Sequence, residues 1–305
     1  MLYQIHMEQF MNIGYDAYRV FYYTAKYKSF TMAAKALGNS QPNVTRMIKN
    51  LENAMDCTLF LRSNRQVELT AEGTLLYNYV SAAFEQLQAG EEALLGGETL
   101  ENGFLRISAT EVALRVFLLP ILSQFRAKYP GVHIKLFNDA TPSALEHLES
   151  GLADLAFVTT PFVLPEPLRK TVLMDVQDVA VCGMAYTDLL NREVSLRQLA
   201  EFPMISLGEH SCTRQFYTRY FAGYGLSFQP DLDTATADQI LPMVEANLGV
   251  GFVPSDFLTP AFHGAVIQLR EPVPQRQICM IESTHRISNR AAKEFKRMCK
   301  ETRKD

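Results

Sequence analysis

The sequence predicts a small all-helical N-terminal unit followed by a larger α/β unit of two lobes. Three observations predict it. Residues 29–51 carry the spacing of two short helices around a tight turn. From Thr70 to about Leu95 the chain holds an apolar repeat suited to one long helix. From Phe104 onward, short apolar runs alternate with helical patterns, the signature of a sheet covered by helices.

In residues 29–51, Gly38 and Asn39 break a first helix, because both tolerate a left-handed backbone. Ser40 is placed to cap a second helix, and Pro42 falls in its first turn, where no backbone N–H is needed. Val44, Met47, Ile48 and Leu51 recur at i, i+3, i+4 and i+7, one buried stripe. The opposite face carries Gln41, Asn43, Thr45, Arg46 and Lys49. Such side chains suit duplex DNA: arginine and lysine for guanine or phosphate, amides for adenine, hydroxyls for phosphate. Helix, short turn and polar-faced second helix is the helix-turn-helix arrangement, although an ordinary αα-hairpin has the same spacing.

Charge distribution supports the first reading. The chain is acidic overall, with a formal net charge of −4, yet eight bases face four acids between Tyr15 and Leu69. A local positive surface is what phosphate contact requires. With 48% hydrophobic and 20% charged residues the composition is that of a soluble globular protein, and 305 residues exceed what one core usually supports. No apolar run approaches a membrane span, and the first residues lack a basic stretch followed by an apolar one, so neither a membrane partner nor a secretory signal is expected. Five scattered cysteines without ligand spacing point to reduced thiols in the cytoplasm, and no metal site is expected.

In order, residues 1–14 are a lead-in with no assigned role, and Met7 and Met11 are alternative starts. Tyr15 to Lys26 reads as a helix ahead of the hairpin. Leu59 and Phe60 are expected to pack on the second helix of the pair. Arg62 to Arg65 forms a turn, and residues 66–69 a short strand. A wing with Arg62 and Arg65 at its tip can lie on the DNA backbone or minor groove, while a merely solubilising loop would carry the same arginines. Thr70 reads as an N-cap with Glu72 favourable to the helix dipole. Leu76, Val80, Ala83, Leu87 and Leu94 form a seam broken at Gly90. A helix of about 25 residues spans about 37 Å, longer than the headpiece, so the seam is expected to dimerise.

Gly96, Gly97, Asn102 and Gly103 mark a linker. The boundaries are therefore 1–70 for the winged helix-turn-helix, 71–97 for the linker helix and 98–305 for the α/β unit. Strands are expected at 104–109, 132–137, 153–159, 204–207, 228–233, 250–253, 266–269 and 277–281, with extended segments in 168–183. Helices are expected at 111–128 with a kink at Pro120, and at 143–150, 211–223, 238–247 and 288–302. Lobe I takes about 104–162 and 266–305, and lobe II about 163–265. Ligands of such sheets sit at the carboxyl ends of strands near helix N-termini, which singles out Ala109-Thr110, Thr141, Thr159-Thr160 and Ser206-Leu207-Gly208, with Thr110, Thr141, Thr160 and Ser206 as the candidates. Hydroxyls and free N–H groups there suit a small anion or carboxylate, although capping alone explains a lone Ser or Thr.

Taken together, these residues resemble the LysR-type transcriptional regulators. The resemblance rests on Tyr22 to Ala34, Leu37, Ser40-Gln41-Pro42, Ile48 to Glu52 and Leu59-Phe60. It continues through Arg62, Arg65, Leu69-Thr70 and Gly73, and more loosely through Gly103 to Ser108, Phe125 to Gly131 and Gly249 to Pro254. It implies an all-α winged helix-turn-helix, a dimerising linker helix and an effector domain of two Rossmann-like lobes resembling type 2 periplasmic binding proteins. It also implies promoter DNA as a partner, a small-molecule effector in the interlobe cleft, a dimer of dimers, and RNA polymerase as a further contact. Carried over, Gln41, Pro42, Asn43, Thr45 and Arg46 read DNA, while Ser40, Lys49, Arg62 and Arg65 hold phosphates. Thr110, Thr141, Thr160 and Ser206 would face the effector. The lead-in is longer than the family pattern, and Asn43 and Thr45 stand where smaller residues are usual.

Two other readings compete. One is an α/β enzyme or solute-binding protein with an appended hairpin. The chain shows no Gly-rich phosphate loop, no G-x-S-x-G, no H-E-x-x-H and no paired His/Cys ligands, so no catalytic residue or cofactor is assigned. Its six histidines are scattered. The other is a thiol redox-sensing regulator using Cys182 or Cys212, with His210 and Arg214 near Cys212.

Overall fold

The computed structural model describes residues 13–62, 67–94, 100, 103–286 and 288–302. The chain divides into two compact units, Met1–Gly96 and Gly97–Asp305.

In the first unit, α1 (Tyr15–Tyr27), α2 (Phe30–Ala36) and α3 (Gln41–Met55) enclose a core. Ser29 accepts a hydrogen bond from Met32 N to start α2. Gly38 turns the chain at φ +60°, a conformation only glycine adopts without strain. Ser40 then accepts from Asn43 N, so α3 begins at the expected cap with Pro42 in its first turn. Val44, Ile48 and Leu51 are buried against Val20, Phe21, Ala33 and Ala34. β1 (Phe60–Arg62) and β2 (Val67–Leu69) pair antiparallel as the wing. Residues 63–66 at its tip, with Arg65 among them, lie outside the described residues, as does the Arg62 side chain.

Thr70 caps α4 (Ala71–Leu94) by accepting from Gly73 N at 2.9 Å. A Cβ on Gly73 would fall 2.1 Å from the Leu59 carbonyl oxygen, so the close approach of α4 to the wing needs glycine. The expected seam splits here. Val80 is buried and Leu76 half-buried in the headpiece core, and the Tyr22 ring stacks on Phe84 at 4.9 Å and on Tyr77 at 5.9 Å. Headpiece aromatics thus claim two positions assigned to a partner. The apolar residues left outward are Leu75, Tyr79 and Leu87, at 60%, 58% and 49% exposure, with Ala83 also exposed. The Leu94 side chain is outside the described residues.

The second unit holds two mixed sheets. The first has the order β4-β3-β5-β13-β6, with β3 (Phe104–Ala109), β4 (His133–Asn138), β5 (Leu155–Thr159), β6 (Leu168–Val176) and β13 (Arg276–Ser283). β3 runs parallel to β4 and β5, whereas β13 is antiparallel to β5 and β6. The second has the order β10-β9-β11-β7-β12-β8, with β7 (Asp178–Gly183), β8 (Glu193–Val194), β9 (Met204–Leu207), β10 (Leu232–Thr234), β11 (Val250–Pro254) and β12 (Gly264–Leu269). The expected lobe boundaries therefore move. β6 belongs to lobe I because it pairs with β13, and β12 belongs to lobe II because it pairs with β7. The chain crosses between lobes at Gln177 and again at residues 270–275.

Helices cover the sheets. In lobe I, α5 spans residues 111–128 and α6 is Thr141–Ser150. In lobe II, α7 is Leu196–Leu199, α8 is Cys212–Ala222, and α9 (Ile240–Glu245) follows a short 3-10 turn. The last helix, α10 (Arg290–Thr302), returns to lobe I, where Phe295 meets Phe125 and Phe157 edge-on. Just before Pro120, where a kink was expected, the helix is irregular: Leu114–Leu118 form a π-helical turn. The strand expected at 228–233 shrinks to Leu232–Thr234: Phe228 instead packs on Tyr217 and Phe221. The short β8 and α7 had no periodicity long enough to reveal them.

Candidate nucleic-acid interface and effector groove

The outward face of α3 is exposed at Gln41, Pro42, Arg46 and Lys49, and half-exposed at Asn43 and Thr45. Its side chains bridge one another. Gln41 Nε2 donates to Thr45 Oγ1 at 3.0 Å, Asn43 Nδ2 to Asn39 Oδ1 at 2.8 Å, and Arg46 to Asn43 Oδ1 at 2.9 Å. These are exposed, exchangeable bonds at i, i+3 and i+4 spacing. They order the amides and the guanidinium on one face without consuming all their donors. Ser40 caps α3, and its hydroxyl remains exposed at the helix start. The structure thus brings Ser40, Gln41, Pro42, Asn43, Thr45, Arg46 and Lys49 onto one helix. At its far end, Glu52 accepts from the backbone N–H groups of Leu59 and Phe60 at 2.8 and 3.3 Å. That carboxylate fixes the wing to α3; sequence reading placed Glu52 only within the family pattern.

In the second unit, an open groove of about 420 Å³ runs between α6, residues 161–165 and α8. Thr141, Leu145, Glu146 and Glu149 line one wall, Cys212, Gln215 and Arg219 the other, and Phe162 and Val163 the end. Of the four expected effector residues only Thr141 lines it. Thr141 and Cys212 stand on opposite walls of the groove. α6 begins two residues earlier than expected, because Pro142 starts a helix readily; Ala140, not Thr141, stands at the cap position.

The other three hydroxyls have local duties or none. Thr110 caps α5 by accepting from Ala113 N at 3.4 Å. Thr160 Oγ1 accepts from Gln277 N at 2.9 Å, tying the end of β5 to β13. Ser206 Oγ is buried without a hydrogen-bond partner.

Deeper between the lobes lies a cluster that sequence reading missed. Arg276 contacts both carboxylate oxygens of Asp178, at 2.8 and 2.7 Å, and both side chains are almost wholly buried. Tyr217 donates its hydroxyl to Asp178 Oδ2 at 2.6 Å. Arg276 also donates to Thr213 Oγ1 at 3.2 Å and to Thr159 Oγ1 at 3.4 Å. Burial drives the Tyr217 hydroxyl well above its ordinary pKa, and the Asp178 charge adds to it, so it stays a donor. Burial opposes the Arg276 charge, but Asp178 more than offsets this and the guanidinium stays ionised. The one signal in the sequence was a lone charge at the start of each of two apolar strands, nearly a hundred residues apart.

Neither candidate sensor cysteine is shifted toward the thiolate. Burial raises the thiol pKa of Cys212, partly countered by Thr141 and Arg219, and burial raises that of Cys182. A reactive thiolate needs the opposite shift. Among the described residues no group of His, Cys, Asp and Glu is arranged to hold a metal ion, and no helix is long and apolar enough to cross a membrane.

Comparison with known proteins gives one answer for both units. Residues 15–74 match the family model "Bacterial regulatory helix-turn-helix protein, lysR family", and residues 98–304 match "LysR substrate binding domain". The chain is 27% identical over 243 residues to the RuBisCO operon transcriptional regulator of Allochromatium vinosum, covering 80% of each. It is 28% identical over 226 residues to the HTH-type transcriptional regulator CysB of Burkholderia cenocepacia, covering 74% of this chain and 72% of that one. The crystal structure of CbnR, a LysR family transcriptional regulator, superposes with a TM-score of 0.68 at 17% identity, over 96% of this chain and 100% of that one.

Proposed function

The chain belongs to the LysR family and is a DNA-binding transcriptional regulator with an effector-binding domain, and we propose how its own residues serve that function. Gln41, Pro42, Asn43, Thr45 and Arg46 enter the major groove of promoter DNA, while Ser40, Lys49 and the wing arginines Arg62 and Arg65 grip phosphates. The observation that carries this is the continuous polar face of α3 opposite Val44, Ile48 and Leu51. The chain works as a homodimer through α4, with Leu75, Tyr79 and Leu87 against a second copy, and pairs of dimers give the tetramer. Its site of action is the cytoplasm, with RNA polymerase as a further partner, and the reading assigns no catalytic step.

The effector is a small molecule with a carboxylate or other small anion. Arg219 and Gln215 in the groove and the Thr141 hydroxyl are the groups suited to it. Pro142, Leu145 and Phe162 would hold its apolar part.

The test is a hydroxyl-radical footprint of the full-length protein on the DNA upstream of its own gene. Protected patches centred about one helical turn apart, about 10 base pairs, are expected of a dimer. They should disappear in Gln41→Ala and Arg46→Ala proteins that still melt as wild type. Footprints unchanged in both variants would remove α3 as the reading helix.

A further inference from the structure

We propose that Arg276, Asp178 and Tyr217 form a clasp that fixes the angle between the two lobes of the effector unit. Its regulatory consequence, control of the effector groove, rests on the effector-binding reading above; the clasp itself does not.

Placement is the first argument. The chain passes between lobes twice, and the clasp stands at both passages. Asp178 is the first residue of β7, directly after the crossover at Gln177. Arg276 is the first residue of β13, directly after the crossover at 270–275. The Gln177 side-chain amide donates to the carbonyls of Asp178 and Val273, both at 3.0 Å, and so ties one crossover to the other. Clasp partners come from both lobes: Thr159 and Arg276 from lobe I, and Asp178, Thr213 and Tyr217 from lobe II.

The second argument is energetic. A buried ion pair is weak evidence for stability, because desolvation of both charges offsets their attraction. What it does specify is geometry. Rotating one lobe about the crossovers would pull the guanidinium from Asp178 while both remained shut away from water. Intermediate angles are therefore costly, and the lobes have discrete arrangements rather than a sliding range. The clasp is also incompletely satisfied: Arg276 Nε is buried without a partner.

The third argument is the path to the groove. Thr213, held by Arg276, lies in the first turn of α8 next to Cys212. Cys212 lines the groove opposite Thr141. A change in lobe angle must move these walls relative to each other. A second contact between the lobes is made by Arg115, whose guanidinium lies 4.3 Å from the centre of the Phe257 ring.

The experiment is hydrogen exchange by mass spectrometry on the full-length protein, without DNA or added ligand. Wild type is compared with Tyr217→Phe, which keeps the ion pair, and with the triple variant Arg276→Met/Asp178→Leu/Tyr217→Phe, which replaces the clasp by apolar groups of similar volume. The triple variant is expected to melt near wild type, yet to exchange about tenfold faster at Gln177, at residues 270–275 and in the first turn of α8. Tyr217→Phe should show a smaller rise, about threefold, in the same segments. The centres of β5, β9 and β13 should be unaffected in both.

Wild-type rates at the crossovers in a folded triple variant would overturn the clasp. So would a uniform rise over the whole unit, which is what a general packing role predicts. Should the triple variant aggregate, Tyr217→Phe decides alone: a rise confined to these segments supports the clasp, and unchanged rates overturn it. Because no DNA or effector enters the experiment, failure of the proposed effector reading would leave its outcome intact.

Discussion

The polar residues of α3 and those of the interlobe cluster are disposed in opposite ways. On α3 they stand exposed and bond to one another within a turn of helix. Between the lobes, Arg276, Asp178 and Tyr217 are buried and bond across elements far apart in the chain. The first arrangement leaves donors available to a partner molecule; the second directs them inward to fix one part of the protein against another. One chain thus turns the same kinds of side chain outward in one unit and inward in the other.

The largest expected effect tests the buried side. Asp178→Ala leaves the Arg276 charge enclosed without its partner, and the effector unit should lose about 3–5 kcal/mol in urea unfolding. A loss below about 1 kcal/mol, the level of an exposed pair, would mean that water reaches the cluster and the contrast fails. On the exposed side, Arg46→Ala should cost about 1–3 kcal/mol of operator affinity and relax preference at one base pair, while leaving headpiece stability almost unchanged. Competition binding with single-base operator variants measures both; an unchanged base preference would take Arg46 out of the reading set.

Ser40→Ala sharpens the comparison, because that side chain has a structural role and an exposed one. Loss of its cap should destabilise the headpiece by about 1 kcal/mol. Glycine at the same position restores much of the stability without a hydroxyl for phosphate, so a DNA-binding defect that persists in Ser40→Gly isolates the phosphate role.

The smallest effect is a pH dependence at a second enclosed carboxylate. Burial opposes the Glu282 charge, but Lys296 at 2.7 Å and Arg169 at 2.5 Å outweigh it and hold its pKa below the usual 4.5. A carboxylate depressed in the folded state contributes stability above its unfolded pKa and loses it as pH falls through the folded one. Unfolding of the effector unit should therefore become easier below about pH 4.5, and Glu282→Gln should flatten that dependence. Identical acid profiles for the two proteins would show that Glu282 is not the group responsible.

The same contrast explains what sequence could reveal. The headpiece was legible because its function lies on one helix: Ser40, Pro42, the Val44–Ile48–Leu51 stripe and the polar face all fall within fifteen residues. The parallel arrangement of β3, β4 and β5 was legible from alternation of strand and helix. Lobe membership was not, because β6 and β12 join their sheets through antiparallel pairing with β13 and β7, and nothing in their periodicity states a partner. Three of the four chosen hydroxyls illustrate the limit of the strand-end rule. It names hydroxyls at strand ends, but Thr110 and Thr160 are engaged by local backbone and Ser206 is enclosed. The seam of α4 was read correctly as apolar but assigned to the wrong partner at Leu76 and Val80, because helix spacing cannot say which side the headpiece occupies.

The most direct test of the central reading is a fluorescence-anisotropy salt titration of the full-length protein on the DNA upstream of its own gene, beside a random duplex of equal length. Tight binding to the upstream DNA is predicted, at least about a thousandfold stronger than to the random duplex. Its affinity should fall steeply as salt rises, as counterion release from several phosphate contacts requires. Equal affinity for both duplexes, or binding indifferent to salt, would contradict the account of α3 as a sequence-reading helix flanked by phosphate contacts.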